Sequence, residues 1–367
     1  MFFKWGHILF LGIFLGTSLP VFAVDRYRSF FSAPRALAMG DAYTAYSQGF
    51  ESVYYNPAGV ARKGPTSVKY IDLELAASYS VYSYLSDNVL SFYNLSQLGT
   101  NMASRAGTLH GMSIGFTPQL LSKNFSIGMI FKSSWDAVVE PGTLDFNIFG
   151  TTDLAVYLHY GVSFFGGVVK LGVGGKVLDR AELDRTYTAA EYGAGGISFT
   201  TEWKEGIGYG LDAGVMATAP IAGLPTIGIA LQDFANTELL DRRVLWTGTR
   251  GTAGAPPALE QKVNVGVSFT LKHAPGVKSV IAMDVKDVLH WSRGDWRDHS
   301  HAGWEIEFDR ILRIRAGYMQ GRYWTAGLGL RLAGFNLELN TWKENLLIYT
   351  GSTRELRYYV AKYTLAF

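Results

Sequence analysis

The sequence predicts an all-β fold: a transmembrane antiparallel β-barrel of about fourteen strands with an N-terminal hatch, or plug, inside its lumen. Three observations carry that expectation. Residues 355–367 put Tyr359, Ala361, Tyr363, Leu365 and Phe367 on one face, and Tyr358, Val360, Lys362, Thr364 and Ala366 on the other. That is period-two amphipathicity ending in an aromatic residue. Similar alternation recurs along the chain behind an N-terminal leader. The gaps between strands are short and long by turns, the asymmetry of a membrane-spanning barrel with tight turns at one end and loops at the other.

The chain opens with Lys4, then the apolar run from Ile8 to Leu19, then Val21-Phe22-Ala23 with small residues at −3 and −1. This is the pattern of a secretory signal peptide, residues 1–23, cleaved after Ala23. The run is short for a membrane-anchoring helix, which needs about 20 residues. No later apolar run is long enough to span as a helix, so any crossing belongs to strands. The chain has no Cys, which excludes a lipid-anchored cysteine, disulfides and thiol chemistry.

Residues 24–65 are rich in Ala, Gly and Ser and lack strand alternation. Asn56 is a natural helix N-cap and Pro57 a good first helical residue, so a helical turn is expected over 57–62. A fourteen-strand barrel encloses more lumen than its own side chains fill. This segment, followed by the barrel of residues 66–367, is the natural filling.

Candidate strands cover 66–76, 109–118, 125–136, 152–163, 167–181, 206–218 and 224–234, then 260–273, 276–289, 300–309, 311–320, 322–333, 334–344 and 355–367. Gaps after even-numbered strands are tight, as at Ser122-Lys123-Asn124 and Phe165-Gly166. Those after odd-numbered strands are mostly long, and Gln320-Gly321-Arg322 breaks the alternation once. An even count puts both termini on the short-turn side. In 300–309, Trp304, Ile306 and Phe308 oppose Glu305 and Glu307; in 311–320, Leu312 and Ile314 oppose Arg313 and Arg315. A turn at Asp309-Arg310-Ile311 sets Glu307 across from Arg313 and Glu305 across from Arg315. Such pairs contribute a few tenths to about 1 kcal/mol, whereas Arg on a lipid face costs about 2–4 kcal/mol at the bilayer midplane. These charges are therefore expected to face the lumen, with Lys170, Lys176, Asp284, Lys286, Arg331 and Glu338. The ladder of Glu305, Glu307, Arg313, Arg315 and Arg331 is a candidate anchor for the plug.

Charged residues make up 17% and aromatics 14%, with 42 glycines; soluble domains carry about 25% charge. A net charge of +2 with no basic patch speaks against nucleic acid. The Gly111-Met112-Ser113-Ile114-Gly115 run matches a nucleophile-elbow pattern, but lies within an alternating strand rather than at a strand-to-helix turn. No catalytic residue is assigned. Asp295, Asp298, His299 and His301 cluster near a loop without an established ligand spacing, so no metal and no cofactor is assigned. Trp291, Trp296 and Trp304 beside them suit an interfacial aromatic girdle. Residues 83–99 are read as helical, with Val89, Leu90, Tyr93 and Leu98 on one side. Gly172, Gly174, Gly175, Gly206, Gly208 and Gly210 read as strand glycines.

The run from Ala36 to Ala61, ALAMGDAYTAYSQGFESVYYNPAGVA, resembles the N-terminal hatch of the FadL-type long-chain fatty-acid transporters and of their PorV-like and spirochaetal relatives. The match lies in the small-residue ALxMGxAxTA stretch and the Asn-Pro-Ala triplet. The start at Val24-Asp25-Arg26-Tyr27-Arg28 departs from it in its charge. The resemblance implies a fourteen-strand outer-membrane barrel passing hydrophobic molecules without a chemical reaction. It implies that Gly40, Asn56, Pro57 and Ala58 hold or gate the hatch, and that Tyr27, Phe30 and Phe31 lie near a bound fatty acid or other lipid. It further implies a monomer among outer-membrane lipids, inserted by the barrel-assembly machinery with Tyr363, Leu365 and Phe367 as its signal. An alternative from the same resemblance is a PorV-like shuttle for secreted proteins.

Overall fold

The computed structural model describes residues 31–61, 64–88, 101–194, 202–242, 254–292, 295–347 and 353–367. The expected leader and cleavage site, together with Tyr27 and Phe30, lie outside them. The wall begins with β1 (Ser67–Ser78), β2 (His110–Phe116), β3 (Gln119–Leu121), β4 (Phe125–Val139), β5 (Phe146–Phe164) and β6 (Val169–Tyr187). Next come β7 (Lys204–Thr218), β8 (Thr226–Gln232), β9 (Leu239–Leu240), β10 (Lys262–Ala274) and β11 (Val277–Val285). The last five are β12 (Ser300–Phe308), β13 (Leu312–Met319), β14 (Tyr323–Leu332), β15 (Phe335–Leu347) and β16 (Thr353–Ala366).

β2 and β3 form one interrupted strand, since both pair with β1 and with β4. The two-residue β9 pairs with the upper part of β7. What remains is fourteen antiparallel strands in sequence order, closed by β16 on β1. Closure removes every free edge, which a strand structure in lipid requires. The alternation in β16 has the expected sense. Tyr358, Val360, Lys362 and Thr364 are buried inward, while Tyr359 is 53% and Tyr363 36% exposed on the outside. The register across the Asp309–Ile311 turn is the expected one, with Glu307 opposite Arg313 and Glu305 opposite Arg315.

Three expectations need correction. The second strand does not stop at 118. Pro118 has no N–H for the ladder, so the strand breaks there and resumes at Gln119. The wall stays sealed, because Thr117 N donates to Asp72 O and Met129 N to Pro118 O. The strand expected over 276–289 ends at Val285. Asp287 takes a left-handed conformation (φ 52°) and a short 3-10 turn, Val288–His290, follows. β5 and β6 extend well beyond 152–163 and 167–181. At about 3.4 Å per residue each is about 65 Å long, far more than a bilayer crossing needs.

Loops clothe the outer face of their upper ends. Phe146, Ile148, Leu183 and Tyr187 point outward yet are buried under Tyr84, Met102 and Tyr192. Tyr84 belongs to α1 (Tyr79–Asn88), a helix that starts earlier than the one expected over 83–99; residues 89–99 lie outside the described set. With both faces covered, the burial of residues 178–183 is continuous and alternation disappears.

Candidate functional site

Residues 31–61 run inside the barrel, almost wholly buried. Pro34 at the first turn starts a short helix, Pro34–Ala38. Further on, the Asn56 side chain accepts from Ala58 N and caps the 3-10 turn Pro57–Val60, as the sequence suggests.

Asn56 is fully buried. Its Nδ2 donates to Thr44 O within the segment (3.1 Å) and to the wall carbonyls of Val215 and Ile229, each at 3.2 Å. Gly40 lies against β12–β14: its N–H donates to Thr325 Oγ1 at 2.9 Å, and its carbonyl accepts from His301 Nδ1 at 2.6 Å. The backbone N–H groups of Tyr43 and Thr44 both donate to Asp284 Oδ2, at 2.7 and 2.8 Å. Asp41 pairs with Lys286 and accepts from Tyr55 OH.

The expected charge ladder divides in two. Glu305 receives Arg35 of the segment on both oxygens, at 2.6 and 2.9 Å, and Arg315 Nε at 2.7 Å. Arg315 also reaches Glu338 at 3.2 Å. One rung of the wall thus meets the segment. Glu307 and Arg313 pair instead with each other at 2.9 Å, and Glu307 also takes Lys278. Arg331 departs from expectation. It lines the lumen at its short-turn mouth but is exposed, and makes no ion pair among the described residues.

Close packing explains the inward glycines. Gly161, Gly172 and Gly214 are cross-strand neighbours, as are Gly303 and Gly317. A Cβ at Gly172 would lie 2.2 Å from the Pro57 carbonyl carbon, and one at Gly317 2.1 Å from Gly40 N. Neither position has room for any side chain. The strand-glycine reading holds for Gly172, where the backbone of the segment makes its close approach.

Phe31 is buried against Tyr54, ring centroids 4.3 Å apart, with Lys132 Nζ 5.1 Å above its ring. The void beside it is about 30 Å³, the space of one water. Towards the long loops, Leu37 packs with Met319, Trp342, Leu356 and Tyr358. A concavity of about 1010 Å³ is bordered by Leu75, Ile114, Ile314, Leu328, Leu339 and Tyr359. These are exposed, outward-facing side chains. No residue of 31–61 borders it, which places it on the bilayer side of the wall.

The candidate metal ligands are committed elsewhere. Asp295 and Asp298 form a capping box and hold Arg322, and His299 Nδ1 bonds Lys286 O. Ser113 sits mid-strand in β2 with no helix behind it.

Sequence reasoning did not single out Arg35, Asp284, His301 or Thr325 as seat residues. Strand parity was the available signal: it turns Asp284 inward, and likewise His301 beside Glu305 and Thr325 on the face of Arg331, whereas nothing local marks Arg35.

No protein-family profile matches the sequence, and no curated protein does. Among solved structures, the toluene transporter TodX of P. putida aligns over 90% of this chain and 97% of its own, at 11% identity and a TM-score of 0.53. The monoaromatic hydrocarbon channel CymD aligns over 91% and 97%, at 10% identity and the same TM-score. The fold is that of the FadL-type hydrocarbon channels. In this barrel the segment 31–61 occupies the lumen.

Proposed function

We propose that the chain is a passive outer-membrane channel for hydrophobic small molecules, with long-chain fatty acids as cargo and residues 31–61 as its gate. The observation that carries this reading is the seating of the segment. It blocks the lumen, yet it is held by a few separable polar contacts and glycine clefts, with no disulfide to fasten it. Extracellular loops collect the cargo; burial of its chain contributes about 0.8 kcal/mol per CH₂. A shift of the segment then opens the way past Phe31 toward the periplasmic, short-turn end. Gly40, Asn56, Pro57 and Ala58 act as the seat on which the gate closes. TodX, a toluene transporter, and CymD, a monoaromatic hydrocarbon channel, both carry small apolar molecules, which supports the same class of cargo.

Expression in a bacterium whose outer membrane lacks a fatty-acid channel should restore growth on oleate as sole carbon source. Failure to grow, with the barrel demonstrably folded in the membrane by its shift in mobility on boiling, overturns the reading.

A further inference from the structure

We propose that the short-turn mouth of the barrel is a binding station for the anionic head of an amphiphilic carboxylate. This rests on the uptake reading and adds to it a place where the carboxylate of that cargo is held. A cavity of about 170 Å³ lies between the plug and strands β1 and β13–β16. Arg35, Lys69, Arg313, Arg331 and Lys362 line it, against only Glu51, Asp72 and Glu338. Five cations thus face three carboxylates.

The carboxylates are already committed. Asp72 alone serves both Lys69 and Lys362, and also accepts from Thr117 and Thr364. Glu338 holds Arg315 and stands opposite Lys362 in the register. Arg35 is satisfied by Glu305 and Arg313 by Glu307. Glu51, the third carboxylate of the lining, lies 4.0 Å from Arg35, and Glu74 stands opposite Lys362 in the register, so the positive surplus resides in Arg331. The Arg331 guanidinium stands exposed at the cavity without a carboxylate partner among the described residues. It carries five N–H donors in a planar fork that suits a carboxylate.

The rest of the lining gives the site its second character. Phe50, Leu121 and Phe335 border the same space. Its volume holds about five or six water-sized groups, enough for a carboxylate and a short stretch of chain. A neutral hydrocarbon would gain nothing from the cations and would have to displace their water. An amphiphilic anion satisfies both parts of the lining. The position, beside the turn at Gly334 and the chain end at Ala366, is where cargo would pause on leaving the lumen.

The test uses the full-length barrel in detergent, titrated calorimetrically with hexanoate, hexanol and acetate. Hexanoate should bind more tightly than either of the others, because hexanol lacks the charge and acetate the chain. Arg331→Gln should weaken hexanoate by about tenfold, the loss of one charge-assisted contact. Arg331→Lys, which keeps the charge but loses the fork, should recover only part of it, and hexanol should respond to neither change. Since Arg331 is exposed and unpaired, both variants should keep the boiling-dependent mobility of the parent. Equal hexanoate affinity in the parent and Arg331→Gln overturns the proposal, as does acetate binding as tightly as hexanoate, which would mean a simple ion site. The oleate growth assay separates the two readings. Growth without Arg331-dependent binding removes the station and keeps uptake; binding without growth keeps the station and removes uptake.

Discussion

Arg35 and Asn56 seat the plug by different means, and their replacement should have different consequences. Arg35 meets a carboxylate that has a second partner: with Arg35 gone, Glu305 still holds Arg315 at 2.7 Å. The usual cost of about 3–5 kcal/mol for stranding a buried charge is therefore avoided in the wall. Arg35→Ala should raise single-channel leak conductance in planar bilayers while leaving the unfolding temperature of the barrel within a few degrees of the parent. Unchanged conductance would mean that the Arg35–Glu305 pair does not hold the plug. Asn56 is a different case, because its amide donates to two wall carbonyls and one plug carbonyl at once. At about 0.5–1.5 kcal/mol for each hydrogen bond, Asn56→Ala should cost the seat about 2–4 kcal/mol. Limited proteolysis should then cut within 31–61 far faster than in the parent, with the wall strands still protected. Gly172→Val attacks the same seat from the wall side. Its side chain has no space beside Pro57, so the plug must lift, and the same cleavage should appear.

Along the inner face, charged side chains form a cross-strand row. Lys278, Glu307 and Arg313 follow one another in register across β11–β13. Beyond Gly329, Glu338, Lys362 and Glu74 continue the row across β15, β16 and β1. Signs alternate, so each carboxylate stands beside at least one cation. This arrangement makes a test of element pairing possible. Glu307→Arg alone should destabilise the barrel strongly by placing like charges opposite each other, and so should Arg313→Glu. The double exchange should recover much of the loss in thermal unfolding. Additive losses would show that the pair does not couple β12 to β13. The register of that hairpin was legible in the sequence because one face was apolar and the other charged, which leaves a single workable alignment. The same logic failed at the tops of β5 and β6. There loop residues such as Tyr84 and Tyr192 cover the outer face, so the polarity contrast that marks a membrane strand is absent. The seat of the plug was legible from one side only. Asn56-Pro57 announces a capped turn, but nothing local tells that Arg35 will meet Glu305, 270 positions away. Nor does it tell that glycines in strands mark clefts for another backbone.

At the scale of the whole molecule, everything depends on one seam, where the last strand meets the first. β16 pairs with β1 from Lys69–Ala366 to Ser78–Tyr358. Beyond the last ladder pair, Phe367 N donates to Val68 O at 2.9 Å and Val68 N to Phe367 O at 2.7 Å. The Phe367 ring lies 6.1 Å from Tyr70 on the outer surface, and is 68% exposed to the bilayer side. The final residue thus contributes two closing hydrogen bonds and an aromatic contact, but almost no lumen packing. Its deletion removes about 1–3 kcal/mol of hydrogen bonding from a seam that retains its other pairs. The finished barrel should therefore remain closed, with its boiling-dependent mobility intact once formed. Formation is more vulnerable, because β16 must find β1 after every other strand is in place, and contacts this distant in sequence form slowly. Deleting Phe367 should lower the yield of folded barrel in cells several-fold, while material refolded in detergent reaches the parental mobility and nearly the parental unfolding temperature. A variant folding as well as the parent in cells would remove Phe367, and with it the Tyr363-Leu365-Phe367 terminus, from any part in assembly. Failure to refold in detergent would instead show that the seam itself, rather than its recognition during insertion, needs the last residue.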